Sequence, residues 1–144
     1  MTEIALARAD DLPAVLELLD RSELPRDGLA DHFDLALVAR DDARVVGSAA
    51  VERYGDAGLL RSVAVDRAYR GQGLGARLVG AALERARQAG LQTVYLLTTT
   101  APGYFPRFGF QPVARADVAP AVRQSVEFTG ACPDSALVMR ADLG

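Results

Sequence analysis

Three glycines alternate with Gln72 and Leu74 in the run Arg70-Gly71-Gln72-Gly73-Leu74-Gly75. Residues without a Cβ let backbone N–H groups approach a ligand closely, and a helix expected over Gly73 to Gln88 adds the positive end of its dipole. Such a loop is a seat for an anion, phosphate above all. The same residues satisfy G-x-G-x-x-A through Gly71, Gly73 and Ala76, so the pattern alone also allows a dinucleotide fold. That fold wants the loop directly after its first strand and an acidic residue about 20 positions further on. Here several strands and a helix precede the loop, and no Asp or Glu lies between Glu84 and Asp117. A phosphate-loop NTPase needs a Lys after its glycines, and the chain contains no Lys.

Four other side chains are candidates for chemistry. Glu52, near the end of an expected strand, and His32, in a loop, are the two candidate general bases. Arg61 interrupts a strand that is otherwise Leu, Val and Ala. A guanidinium there needs an anionic partner, either a substrate carboxylate or an internal Asp or Glu. Cys132, the single cysteine, has no His paired with it in sequence and reads as a buried or substrate-contacting thiol rather than a nucleophile.

The elements that must position these residues follow from periodicity. Thr2 to Arg8 alternates as a strand, and Asp10-Asp11 offers an N-cap for a helix with Leu12, Val15, Leu16 and Leu19 on one face. Arg21 to Asp34 reads as a loop with a short helical piece, able to border a pocket. Leu35 to Arg40, Arg44 to Tyr54 and Ala57 to Val65 read as three strands joined by tight turns at Asp41-Asp42 and Gly55-Asp56, hence antiparallel hairpins. The helix after the glycine loop turns Leu74, Leu78, Ala82 and Leu83 inward and ends at Gly90. It lets Thr93 to Thr99 return as a buried strand parallel to the one before. A short helix at Pro102 to Phe108, a strand from Phe110 to Arg115, an irregular stretch from Asp117 to Thr129 and a strand at Ala136 to Arg140 complete the reading. The fold class is α/β with a mixed sheet, in one domain over residues 1–144.

Composition narrows the partners. With a net charge of -3 the chain lacks the basic surface that nucleic acid requires. No apolar run approaches the ~20 residues of a membrane span, and no Cys/His cluster has metal-ligand spacing. All 16 basic residues are Arg, which skewed codon usage explains better than a demand for guanidinium groups. The expected setting is cytoplasmic.

Leu59-Leu60-Arg61-Ser62-Val63-Ala64-Val65, then Tyr69 to Gly75, and later Tyr104-Phe105-Pro106-Arg107-Phe108-Gly109-Phe110 resemble, in that order, the GNAT superfamily of acyl-CoA N-acyltransferases. The resemblance covers about residues 3 to 115 and implies a central, mostly antiparallel mixed sheet with strands splayed around the acyl-CoA. It implies that Val63, Ala64 and Val65 pair with the pantetheine arm of acetyl-CoA while Arg70, Gly71, Gln72, Gly73, Leu74 and Gly75 wrap its pyrophosphate. It also implies direct attack by an amine, with free N–H groups between Val63–Val65 and Thr98–Thr100 holding the acyl oxygen.

Leu60-Arg61-Ser62-Val63-Ala64-Val65, Tyr95-Leu96-Leu97-Thr98-Thr99-Thr100-Ala101 and Ala131-Cys132-Pro133-Asp134-Ser135-Ala136 in combination look like the arsenic-resistance N-acetyltransferases, and the first two are also similar to short bacterial N-acetylglutamate synthases. Both imply a small glutamate-like amino acid as acceptor. Acetylation of a peptide N-terminus and a non-catalytic acyl-CoA sensor remain alternatives, and a homodimer is compatible with either.

One departure from the family pattern concerns the leaving thiolate. Many relatives carry Phe-Tyr before the Gly-Phe turn, and the second aromatic donates the proton. Here Tyr104 falls at the first position and Phe105 at the second, so Tyr104 is expected to be a packing residue or a wall of the cofactor site rather than the proton donor.

Overall fold

The computed structural model describes residues 2–99, 101–131 and 135–143. Seven strands form one sheet in the order β1-β2-β3-β4-β5-β7-β6. They are β1 Thr2–Leu6, β2 Leu37–Asp41, β3 Arg44–Tyr54, β4 Ala57–Val65, β5 Thr93–Thr98, β6 Gln111–Pro112 and β7 Leu137–Asp142. Every neighbouring pair is antiparallel except β4 and β5. Those two are joined by helix α2, Leu74–Gln88, the crossover that a parallel pair requires.

The sheet is covered on both faces. Val79 and Ala86 bury on α2 with Leu74, Leu78 and Ala82, whereas Leu83 is only half-buried. This stripe packs on Val46, Val51, Leu60, Val94 and Leu96. On the other face, helix α1, Leu12–Arg21, sets Val15, Leu18 and Leu19 against Val38 and Ala50. A third cluster on that face joins Leu59, Tyr95 and Val138 to Val118 and Val122. The side chains of β4 alternate across the sheet, so Leu60 enters the α2 face while Leu59 and Arg61 enter the other.

Three local expectations change. Asp11 does not cap α1 with its side chain. Ala9–Asp11 forms a preceding 3-10 turn, and the carboxylate is taken by the Arg8 N–H at 2.7 Å and by the Arg40 guanidinium from β2. The helix expected over Pro102 to Phe108 is a single 3-10 turn, Phe105–Phe108, closed by Gly109 at φ 92°. The strand expected over Phe110 to Arg115 pairs only at Gln111–Pro112, where Pro112 has no N–H to extend the ladder.

Candidate active site

The parallel register of β4 and β5 covers Ala57↔Thr93, Gly58↔Val94 and Leu59↔Tyr95, and then stops. Beyond it β4 stays with β3 through Gly47↔Val65, and β5 stays with β7 through Thr98↔Leu137. The two central strands therefore diverge, leaving the edge of Val63–Val65 that faces β5 without a strand partner.

A bulge in β4 aims this segment. Three residues of β3, Ser48 to Ala50, stand against four of β4, Arg61 to Ala64. Ser62 takes φ +58°, a left-handed conformation that costs about 1–2 kcal/mol outside glycine. Ser48 Oγ donates to the Ser62 carbonyl at 2.7 Å and holds the bulge.

Into the gap opens a cavity of about 620 Å³ that passes from the α2 face to the opposite face. The sequence-named residues Val63, Ala64, Val65, Arg70, Gly71, Gly73, Leu74 and Gly75 line it, with Arg61, Thr98, Thr99, Tyr104 and Phe105. Gln72 is exposed and does not line it. Expectations on Thr100 and Cys132 fall outside the described residues.

The glycine loop meets α2 as an anion seat should. Gly71 and Gly73 have φ +82° and +78°, and a Cβ built on either would meet nothing within 4 Å. The requirement for glycine is thus conformational, and the space before the loop is open. Gly73 is the residue before the first turn of a 15-residue helix, so unsatisfied N–H groups and the helix dipole face that space. At one edge of the loop, Arg70 Nε donates to the Val65 carbonyl at 3.0 Å. At the other, the Tyr104 hydroxyl lies 3.3 Å from where a Cβ on Gly75 would stand. Tyr104 packs edge-on to Phe105, which is buried against Phe110. An open, N–H-lined loop next to an unpartnered strand edge suits a pyrophosphate followed by an extended amide-bearing arm.

On the opposite face the cavity is bordered by Glu23, Leu24, Pro25, Arg61 and Glu127. Arg61 organises this end. Its Nη1 donates to Glu52 Oε2 at 2.8 Å and to the Asp27 carbonyl at 2.6 Å. Nη2 donates to the Pro25 carbonyl at 3.2 Å and lies 3.8 Å from Glu127 Oε2, while Nε donates to Ser62 Oγ at 3.1 Å. The Arg61 and Glu52 side chains are both 0% exposed. Of the two partners open to Arg61 in the sequence, the structure supplies the internal one. Its N–H groups are engaged within the protein, so substrate-carboxylate recognition by Arg61 is replaced by a hub that ties β3, the β4 bulge and two loops together.

Glu52 is accordingly displaced from the general-base position. It does not line the cavity, and it accepts from the Tyr54 hydroxyl as well as from Arg61. Burial pushes its carboxyl up, but hydrogen bonds from Ser125, Tyr54 and Arg61 together with the guanidinium charge hold it below the usual range. Burial and the adjacent Glu52 carboxylate push the Tyr54 phenol up to about 12. His32, the other candidate base, packs against Tyr54 with ring centroids 5.6 Å apart and does not line the cavity.

Glu127, Ser62 and Pro25 were not singled out as site residues by the sequence. Glu127 sits in an irregular segment with no periodicity to mark it, and the bulge at Ser62 exists only in the β3–β4 register.

A family model described as the acetyltransferase (GNAT) family matches residues 4–110. The chain is 30% identical over 134 residues to an amino-acid acetyltransferase of Pasteurella multocida, covering 87% of this chain and 30% of that protein. It is 32% identical over 123 residues to an amino-acid acetyltransferase of Mycobacterium tuberculosis, covering 74% and 67%. The structure of Rv2747 from Mycobacterium tuberculosis in complex with CoA and NLQ superposes with a TM-score of 0.81 at 27% identity, covering 97% of this chain and 98% of that one. N-acetylglutamate synthase from Neisseria gonorrhoeae, complexed with coenzyme A and N-acetyl-glutamate, shares the fold with a TM-score of 0.84 at 22% identity. This chain spans only 35% of the Neisseria protein and 30% of the Pasteurella one. With strand splay, glycine loop and α2 in the matched segment, the chain belongs to the acetyltransferase (GNAT) family, solved members of which are complexed with CoA or acetyl-CoA, the co-substrate.

Proposed function

We propose that this chain transfers the acetyl group of acetyl-CoA to the α-amino group of a small free amino acid by direct attack. The observation that carries the reading is the single cavity through the splayed sheet. Its α2 side offers the glycine loop, and its other side is roofed by residues 23–25 and Glu127. A small acceptor entering there meets the acyl group at the strand gap, and holding the two reactants together supplies much of the rate.

In this reading Val63, Ala64 and Val65 bind the pantetheine amides, and Arg70 to Gly75 bind the pyrophosphate. The amine nitrogen attacks the thioester carbonyl, the C–N bond forms as the C–S bond breaks, and the thiolate takes its proton from water or from the Thr99 hydroxyl. An acceptor arriving as an ammonium ion first loses one proton to water, and a second proton leaves the nitrogen through water as the amide forms.

The relatives named amino-acid acetyltransferases support a free amino acid as acceptor, and the fold shared with a synthase complexed with N-acetyl-glutamate supports the glutamate class. The finer arsenic-resistance reading, in which phosphinic or arsinic glutamate analogues are the acceptors, rests on the Leu60 to Val65, Tyr95 to Ala101 and Ala131 to Ala136 segments. Thiol release from acetyl-CoA, assayed against free amino acids, phosphinic analogues and peptides, tests both. Release with free amino acids is expected. Release with peptides alone, or acetyl-CoA binding without any transfer, would refute the proposal.

A further inference from the structure

We propose that Glu127, presented by Arg61, is the residue that binds the ammonium group of the incoming acceptor. The inference rests on the transferase reading above and goes beyond it by assigning an acceptor-binding residue.

Among the described residues, two carboxylate side chains line the cavity, Glu23 and Glu127. Glu23 is exposed at the rim, whereas Glu127 is only 5% exposed. A carboxylate removed from water to this degree must be held by charged or hydrogen-bonding neighbours, and it meets a cation far more strongly than an exposed one does.

Its placement is built rather than incidental. The Glu127 N–H donates to the buried Ser125 Oγ at 3.2 Å, fixing the start of the turn. Arg61 Nη2 stands 3.8 Å from Glu127 Oε2 while the same guanidinium holds Pro25 and Asp27 of the facing loop. The two loops meet tightly, since a Cβ on Gly28 would come within 2.9 Å of Val126 Cγ2. One buried hub thus sets both sides of the acceptor entrance and leaves a carboxylate on the cavity wall. Arg61 prefers an anion and is already engaged. Among the described residues, the buried carboxylate on that wall, held beside Arg61, suits a primary ammonium.

The test is Glu127→Gln, which keeps shape and hydrogen bonding and removes the charge. The acceptor KM should rise roughly tenfold or more, the effect of one charged hydrogen bond, with acetyl-CoA affinity by calorimetry unchanged. Glu127→Asp should recover part of the lost affinity. An unaltered KM in folded Glu127→Gln overturns the proposal. Should that variant fail to fold, wild-type protein loaded with CoA decides: the acceptor must bind at least roughly tenfold more tightly than its analogue with hydrogen in place of the amino group. Equal binding overturns it. A wild-type chain that binds CoA yet acetylates no amine would instead refute the transferase reading, a result distinct from either.

Discussion

Arg61 Nη1 lies 2.8 Å from Glu52 Oε2 in a region from which both side chains are excluded from solvent. A buried pair of this kind contributes little beyond a well-packed apolar substitute, but removing one partner strands the other charge. Arg61→Ala is therefore expected to lower the unfolding free energy by about 3–5 kcal/mol in urea titrations. Full stability in this variant, with only the acceptor KM altered, would return Arg61 to direct recognition of a substrate carboxylate.

The same cluster sets a pH signature at both ends of the range. Glu52 is held below its ordinary 4.5, so the stability it contributes is present above that value and is lost as pH falls through the lower folded one. Tyr54 is raised from 10.0 to about 12, so its neutral phenol contributes fully below pH 10 and the contribution fades as pH climbs toward 12. Ultraviolet titration of wild type against Tyr54→Phe should show that the phenolate signal of Tyr54 appears late, after the ordinary range. Ionisation near pH 10 in the folded protein would contradict the Tyr54–Glu52 hydrogen bond.

These two predictions depend on contacts that periodicity could not reveal. Strand alternation and turn residues were enough to read β2, β3, β4 and α2 to within about two residues, because their apolar periods match one buried face. The glycine loop was legible because positive φ at Gly71 and Gly73 selects for glycine directly. Arg61 was recognised as needing an anion, but its partner depends on the β3–β4 register, which one bulge at Ser62 shifts. Gln72 and Glu52 were named from their place in a motif or at a strand end, and the direction of each side chain is settled only by packing. Glu127 had no signal at all, because irregular chain carries no period.

Gly73→Glu is expected to abolish measurable acetyl-CoA binding. The new side chain has open space, so the fold should survive at a cost of roughly 1–2 kcal/mol for the left-handed φ. A carboxylate in the anion seat repels phosphate, whereas Gly73→Ala, with the same backbone strain and no charge, should bind detectably. Calorimetry on both variants separates charge from strain. Wild-type affinity in folded Gly73→Glu would move the pyrophosphate elsewhere.

Tyr104→Phe is expected to keep kcat within about threefold, since loss of a true general acid costs roughly 10²-fold or more. The hydroxyl of Tyr104 sits over the first turn of α2 near Gly75, and the next residue, Phe105, turns into the core. A hundredfold loss of kcat with acetyl-CoA affinity intact would make Tyr104 the proton donor to the thiolate.

The most direct test of the account offers the protein isotope-labelled acetyl-CoA and an equimolar mixture of free amino acids and short peptides, and reads the products by mass spectrometry. Label is expected on the α-nitrogen of a free amino acid, glutamate foremost, with one CoA thiol released for each amide formed. Label confined to peptide N-termini, or thiol released by hydrolysis with no labelled amide, would contradict it.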